Sequence, residues 1–195
     1  MAKIVLKDVR IAFCQNLFEA KPFQPGQTPK FSSSFLFAPG SETAKLVQST
    51  VKQVAQEKFG AKADSVLASI KGVPNKMCFR NGDSKPDYEG YPGNLFVSAS
   101  NKTRPTVLDR DKTPLIMADG KPYAGCYVNA IVDIWAQDNQ FGKGIQASLL
   151  GVQFVRDGDA FAGGGVANED DFDDLGEGAD APAEGGTASS SEDFV

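Results

Sequence analysis

All twenty lysines and arginines of this 195-residue chain lie before position 157, while residues 157–195 hold twelve of its 25 acids and no base at all. The first 156 residues are left with thirteen acids against twenty bases, so a body of formal charge +7 precedes a tail of −12, and the overall −5 hides both. The segregation limits what can fold. Eight glycines, seven alanines and the twelve acids make up 27 of the 39 tail residues. Such a segment buries too little apolar surface to offset its conformational entropy and repels itself. The sequence therefore predicts one folded domain over 1–156 and an acidic, disordered tail over 157–195, with disorder from about Gly163 onward. A basic body joined to an acidic tail points to a polyanion as ligand, with the tail as a competitor for the same surface.

Two of the three tail phenylalanines stand directly between acids or beside them. Phe172 lies in the run Asp170, Asp171, Phe172, Asp173, Asp174, and Phe194 lies in the final Glu192, Asp193, Phe194, Val195. A ring flanked by carboxylates is suited to a pocket rimmed by basic side chains, so these residues are the expected partner-binding elements of the tail.

The composition excludes several classes of chemistry. There is no histidine, which removes Ser-His-Asp and Cys-His catalysis and His-ligated zinc. Cys14, Cys78 and Cys126 form no C-x-x-C pair, so neither a disulfide scaffold nor a zinc ribbon is expected. The first residues, MAKIVLKDVR, lack the apolar run of a secretion signal, and no apolar stretch approaches the ~18 residues of a membrane span. A reducing cytoplasm is the expected compartment, with no cofactor and no membrane contact.

Periodicity divides the body. Lys3–Phe13 alternates loosely, with Val9, Ile11 and Phe13 on one face, and reads as a first strand. After a proline-rich loop, FSSSFLF (31–37) reads as a second strand, broken by Pro39-Gly40. Val47, Val51, Val54, Ala55 and Phe59 then recur at helical spacing until Gly60, and a short helix over 64–71 follows. The lysines at 45, 52, 58 and 62 are expected to form a solvated helix face. Segments 95–100, 106–108, 125–137 and 145–156 are β-rich. In the third of these, Val128, Ala130, Val132, Ile134 and Ala136 share one face, with Tyr127, Asn129, Ile131, Asp133 and Trp135 on the other. Leu149-Leu150 interrupts alternation, as a bulge in a small barrel does. The fold class expected is mainly β: a five-stranded OB-type barrel with helices inserted after the second strand.

Motifs for catalysis and metals mostly fail. GKG at 142–144 lacks the upstream glycine of a phosphate loop, and Asp171-x-Asp173-x-Leu175 puts leucine where a calcium ligand is needed. Asp83-x-Lys85 has the carboxylate–lysine spacing of metal-dependent nucleases, but Pro86-Asp87 follows the motif where that pair should precede it. Asp109, Asp111 and Asp119 leave a Mg²⁺-dependent nuclease open as an alternative, although aspartate in such Pro/Gly-rich segments commonly serves turns.

Basic residues interleaved with aromatics remain. Single-stranded nucleic acid takes cations for its phosphates and flat rings for its unpaired bases. Arg80, Lys85, Lys102, Arg104 and Arg110 are the candidate phosphate contacts; Tyr88, Tyr91, Phe96, Tyr127 and Trp135 are the candidate stacking rings.

Three blocks, NGDSKPDYEGYPGNLFVSASNKTRPTVLDRD (81–111), AGCYVNAIVDIWAQD (124–138) and GIQASLLGVQFVRDGDAF (144–161), resemble a phage family of single-stranded DNA-binding proteins formerly known as a domain of unknown function. The resemblance covers about residues 3–161. It implies an OB-fold core, binding of single-stranded DNA without strong sequence preference, and a role in phage DNA replication and recombination. It also implies an acidic tail that competes with DNA and contacts replication proteins such as a polymerase, helicase or primase. Tyr88 and Tyr91 stand in YEGYPG, and Arg104 and Arg110 in RPTVLDRD, two of the blocks that carry the resemblance. The tail departs from the pattern of many single-stranded DNA-binding proteins, where an aromatic residue is last: here Val195 follows Phe194. A non-catalytic DNA-binding protein is thus expected, with a strand-annealing recombination mediator or a protein-only adaptor as alternatives, and with a homodimer left open.

Overall fold

A computed structural model describes residues 1–161. Seven strands form one sheet: β1 (Ala2–Ala12), β2 (Phe31–Phe37), β3 (Phe79–Asn81), β4 (Leu95–Asn101), β5 (Thr106–Leu108), β6 (Tyr127–Asn139) and β7 (Gly142–Arg156). Their order is β3-β4-β2-β1-β6-β7-β5. All pairs are antiparallel except β5 with β7. The sheet curls until β7 meets the segment entering β3: Cys78 donates its N–H to the Ile145 carbonyl at 2.9 Å, and Ile145 donates to that of Lys76 at 2.7 Å. Asn101, at the end of β4, adds a side-chain bond to the Leu149 carbonyl at 3.0 Å. These bonds satisfy edge groups of β7 that would otherwise offer themselves to another chain.

The five-stranded barrel expected from the sequence is therefore a seven-stranded sheet. Five long strands make the wall, and β3 and β5, three residues each, are added to it. Three residues are too few to show a period of two, which is why β3 left no trace in the alternation. The break at Leu149-Leu150 is a bulge: Ile131 pairs with Gly151 and Val132 with Leu149, leaving Leu150 unpaired. A second irregularity bends β1 between Leu6 and Val9, with Asp8 at φ 50° and its N–H donated to the Asn129 side-chain oxygen at 3.0 Å.

Helix α1 (Glu42–Phe59) starts where Ser41 accepts a hydrogen bond from the Ala44 N–H at 3.1 Å, and it ends at Gly60. A 3₁₀ turn leads to α2 (Ala63–Ile70). The apolar stripe Val47, Val51, Val54, Ala55 joins Leu6, Phe35, Val97, Val132, Ile134 and Leu149 in the main core, while the four helix lysines are exposed. In β6 the structure keeps the register that the alternation implies: Val128, Ala130, Val132 and Ile134 are buried, with Tyr127 and Trp135 on the opposite face.

Candidate nucleic-acid interface

Cross-strand pairing sets one line of side chains on the outer face. Arg80 pairs with Phe96, Phe96 with Leu36, Leu36 with Arg10, Arg10 with Tyr127, and Tyr127 with Arg156. Directly opposed residues point to the same face of a sheet, so the line spans six strands from β3 to β7. Three of its six members are arginines and two are aromatic. A groove of about 460 Å³ runs beside it, lined by Lys7, Arg10, Leu36, Ser41, Asn94 and Tyr127 among others.

The loop 82–94 folds over one end of this line. Its backbone makes successive tight turns, Lys85 N–H to Gly82, Tyr88 to Lys85, Tyr91 to Tyr88 and Asn94 to Tyr91, each carbonyl accepting from three residues on. A step of three places Lys85, Tyr88 and Tyr91 together. Asp83 holds the loop shut, its carboxylate accepting from the Gly93 N–H at 2.7 Å. The result is a relay of edge-to-face rings: Phe13–Tyr88 at 5.7 Å, Tyr88–Tyr91 at 5.9 Å and Tyr91–Phe96 at 4.9 Å between centroids. The Lys85 ammonium lies 5.1–5.5 Å from all four ring centres, and the Arg80 guanidinium lies 4.8 Å from that of Phe96.

Among the described residues, neither Arg80 nor Lys85 has a carboxylate within 4 Å, and the buried Arg80 Nε has no hydrogen-bond partner. Burial lowers the pKa of both, and the neighbouring Arg80 charge lowers that of Lys85 further. Two partly buried positive charges that repel each other are stabilised by any anion that settles between them and water.

The sequence-predicted residues separate into groups. Arg80, Lys85, Tyr88, Tyr91 and Phe96 come together, but Phe96 (0% exposed) and Tyr91 (1%) are enclosed. Phe96 does share a face with Ser98 and Arg80, as its alternation implied; the loop then covers it, and burial raises the Tyr91 phenol to about 12. Tyr88, 49% exposed, is the open ring of the three. Tyr127 stands in the line, with the Arg156 guanidinium 3.4 Å from its ring centre. Lys102 and Arg104 are exposed beyond the end of β4, Arg104 lying over Phe18 at 5.7 Å. Arg110 is exposed in the turn after β5. Trp135 stands apart: its indole N–H donates to Ser148 at 3.1 Å, and with Met1, Val54 and Lys58 it lines a 220 Å³ pocket against α1.

Four residues of the interface were missed. Arg10 and Arg156 flank Tyr127, and the polar-face position of Arg10 between Val9 and Ile11 was legible in the alternation. Phe13 was expected on the core face with Val9 and Ile11, but its backbone turns left-handed (φ 62°, ψ 44°) and carries the ring to the opposite side, beside Tyr88. Phe161 was placed in the tail by charge. It is buried at 7% exposure against Ala12, Leu36, Tyr91 and Phe96, its N–H donated to the Ala124 carbonyl at 3.0 Å. Arg10 holds this segment, donating to the Asp159 carbonyl at 2.5 Å with its guanidinium 4.4 Å from the Phe161 ring centre. Asp157 accepts from the Tyr123 hydroxyl at 2.8 Å. Folded structure thus continues past Arg156 to Phe161. The tail candidates Asp170–Asp174 and Glu192–Val195 lie outside the described residues.

The aspartates weighed for a metal serve turns: Asp109, Asp111 and Asp119 accept from the N–H groups of Arg110, Thr113 and Ile116 at 2.7–2.9 Å. Among the described residues no three His, Cys, Asp or Glu side chains are grouped to hold a metal ion, and no helix is long and apolar enough to cross a membrane.

A curled β sheet with a helix after its second strand is the fold this chain shares with OB-fold single-stranded DNA-binding proteins of phages. The structure of the single-stranded DNA-binding protein from bacteriophage Enc34 in complex with ssDNA superposes with a TM-score of 0.68 at 26% identity, over 81% of this chain and 88% of that one. Bacteriophage T7 gp2.5, a single-stranded DNA-binding protein, shares the fold at a TM-score of 0.51 and 12% identity, over 80% of this chain and 92% of its own. The chain belongs to the Enc34 single-stranded DNA-binding protein family, whose model matches residues 2–183. The p50 protein of Acyrthosiphon pisum secondary endosymbiont phage 1 is 50% identical over 176 residues, 89% of this chain and 94% of p50. This is a family of non-catalytic DNA-binding proteins, which removes the nuclease alternative.

Proposed function

We propose that the chain binds single-stranded DNA, without strong sequence preference, across the outer line from Arg80 to Arg156, and that its acidic tail competes with DNA for this surface. The observation that carries the reading is the uncompensated pair Arg80 and Lys85 beside the open ring of Tyr88, on a line that continues through Arg10, Tyr127 and Arg156. Phosphates satisfy the cations; bases stack on the ring. The outward positions of β4 lead from Phe96 through Ser98 and Ser100 to Lys102, a path of roughly 20 Å at about 3.3 Å per residue. Lys102, Arg104 and Arg110 are then phosphate contacts farther along the strand. Family membership supports a role in phage DNA replication and recombination in the cytoplasm of the infected host.

The root of the tail supports the competition. Residues 157–161 lie on the interface itself, with Phe161 against Leu36 and Phe96 and Asp159 at Arg10, so the chain leaves the body from the surface proposed for DNA. DNA that displaces the acids beyond Phe161 frees Phe172, Asp193 and Phe194 for a replication protein.

Titration of labelled oligo-dT at several salt concentrations tests both parts, using the full chain and a chain ending at Phe161. Truncation at Phe161 keeps the folded unit intact, whereas a cut at Arg156 would uncover Leu36 and Phe96. Binding that weakens with salt, and is tighter for the shorter chain, is expected. Absence of binding by either form at low salt overturns the DNA reading; equal affinities overturn the competition.

A further inference from the structure

Phe13 is the one aromatic residue of the interface that the backbone holds out at a cost. It follows β1 directly, and continued alternation would place it with Val9 and Ile11 in the core. Instead it adopts φ 62°, ψ 44°, in the left-handed region that bulky side chains avoid. Its ring is 38% exposed, edge-on to Tyr88 at 5.7 Å, with the Lys85 ammonium 5.5 Å away. In the relay Phe13–Tyr88–Tyr91–Phe96, exposure falls inward: the outer two rings are open, while the inner two are enclosed and act as their support.

Among the described aromatic residues Phe13 alone has a left-handed backbone, and its packing there is confined to the edge of Tyr88 and the Lys85 ammonium, with 38% of the residue left open. Asparagine at this position would suit the left-handed backbone better and keep the turn. What asparagine lacks is a flat apolar face next to a cation. Resting on the DNA-binding reading above, we propose that Phe13 and Tyr88, inclined at 63° to each other, form a two-walled platform whose open ring faces stack unpaired bases, with Lys85 beneath them placed for the adjoining phosphate. Tyr91 and Phe96, the enclosed inner rings, position this platform and do not touch DNA.

The test compares the full-length wild type with Phe13→Asn, Phe13→Leu and Tyr88→Ala, together with Phe23→Leu as a control ring exposed on the loop before β2. Affinity for oligo-dT is measured over a salt series, and thermal melting on the same samples. Loss of one stacking contact is expected to weaken binding by about 5- to 150-fold in both Phe13 variants, with the salt slope unchanged. Phe13→Asn is expected to melt no lower than wild type, since it relieves the strained backbone. Affinity within twofold of wild type in either Phe13 variant overturns the proposal, as does an equal loss in Phe23→Leu. A lower melting point for Phe13→Asn assigns the ring a structural role and overturns it too; a shallower salt slope assigns the loss to Lys85 and does the same. If Tyr88→Ala weakens binding and the Phe13 variants do not, only the role of Phe13 fails. If wild type does not bind at low salt, the underlying DNA reading fails with it.

Discussion

Single side chains in this interface have separable jobs, and the separation is measurable. Tyr88 offers an open ring, so Tyr88→Ala removes stacking, expected to cost about 1–3 kcal/mol of binding without changing its salt dependence. Arg80 offers charge, so Arg80→Gln is expected to reduce the slope of log affinity against log salt by about 0.7, one phosphate's share on a single strand. Equal salt slopes for wild type and Arg80→Gln would show that Arg80 meets no phosphate. The cysteines behave in the opposite way. Burial pushes the Cys78 thiol up to about 12 and Cys126 to about 11, and raises Cys14 as well. A thiol reagent at pH 8 is therefore expected to label none of the three in the native protein and all three once it is unfolded; labelling of the native chain would contradict their burial.

Elements, not residues, decide where the folded part stops. The charge pattern ends the body at Arg156, yet the next five residues cross the outer face and plug it with Phe161. Loss of that ring should leave an apolar hole bounded by Leu36, Tyr91 and Phe96. Phe161→Ala is expected to destabilise by about 3 kcal/mol, read from the denaturant midpoint. An unchanged midpoint would mean that the segment rests on the body without holding it. Gly90 tests the same contact from the other side: it stands at φ 81°, and a Cβ there would lie 2.3 Å from the Phe161 ring. Gly90→Ala is expected to lower the melting temperature and to loosen Phe161, detectable as faster amide exchange at that residue.

Across the whole molecule, buried weak acids set the response to alkali. Tyr91, Cys78 and Cys126 each hold their protons more tightly when folded, at about 12, 12 and 11 against ordinary values of 10.0, 9.0 and 9.0. Groups raised in this way contribute stability in full below their unfolded values and lose it as pH climbs through the folded ones. Cys14 and Tyr123 are raised in the same way, while Lys85 and Arg80, lowered by burial, work in the opposite sense. Stability is expected to hold up to about pH 9 and to fall between about 9 and 12; a melting temperature flat to pH 12 would contradict the enclosed environments of these side chains.

Local signals suffice for the split into a basic body and an acidic tail, the helical stretch that closes at Gly60, the inward face of β6 and the bulge at Leu150. Each of these rests on local periodicity, capping or charge, which neighbouring residues express without reference to the rest of the fold. FSSSFLF shows where that legibility ends. Every residue from Ser33 to Phe37 is buried, because the loop 82–94 and Phe161 cover the face that alternation would leave to solvent. The same covering took Phe96 and Tyr91 out of reach and left Tyr88 open. The assembled sheet alone sets Arg10, Arg80, Tyr127 and Arg156 on one line, since strand register joins positions as far apart as 10 and 156. Tertiary structure also decided that Phe13 faces outward: a single left-handed residue reverses the face on which a ring appears, and no periodic signal announces it.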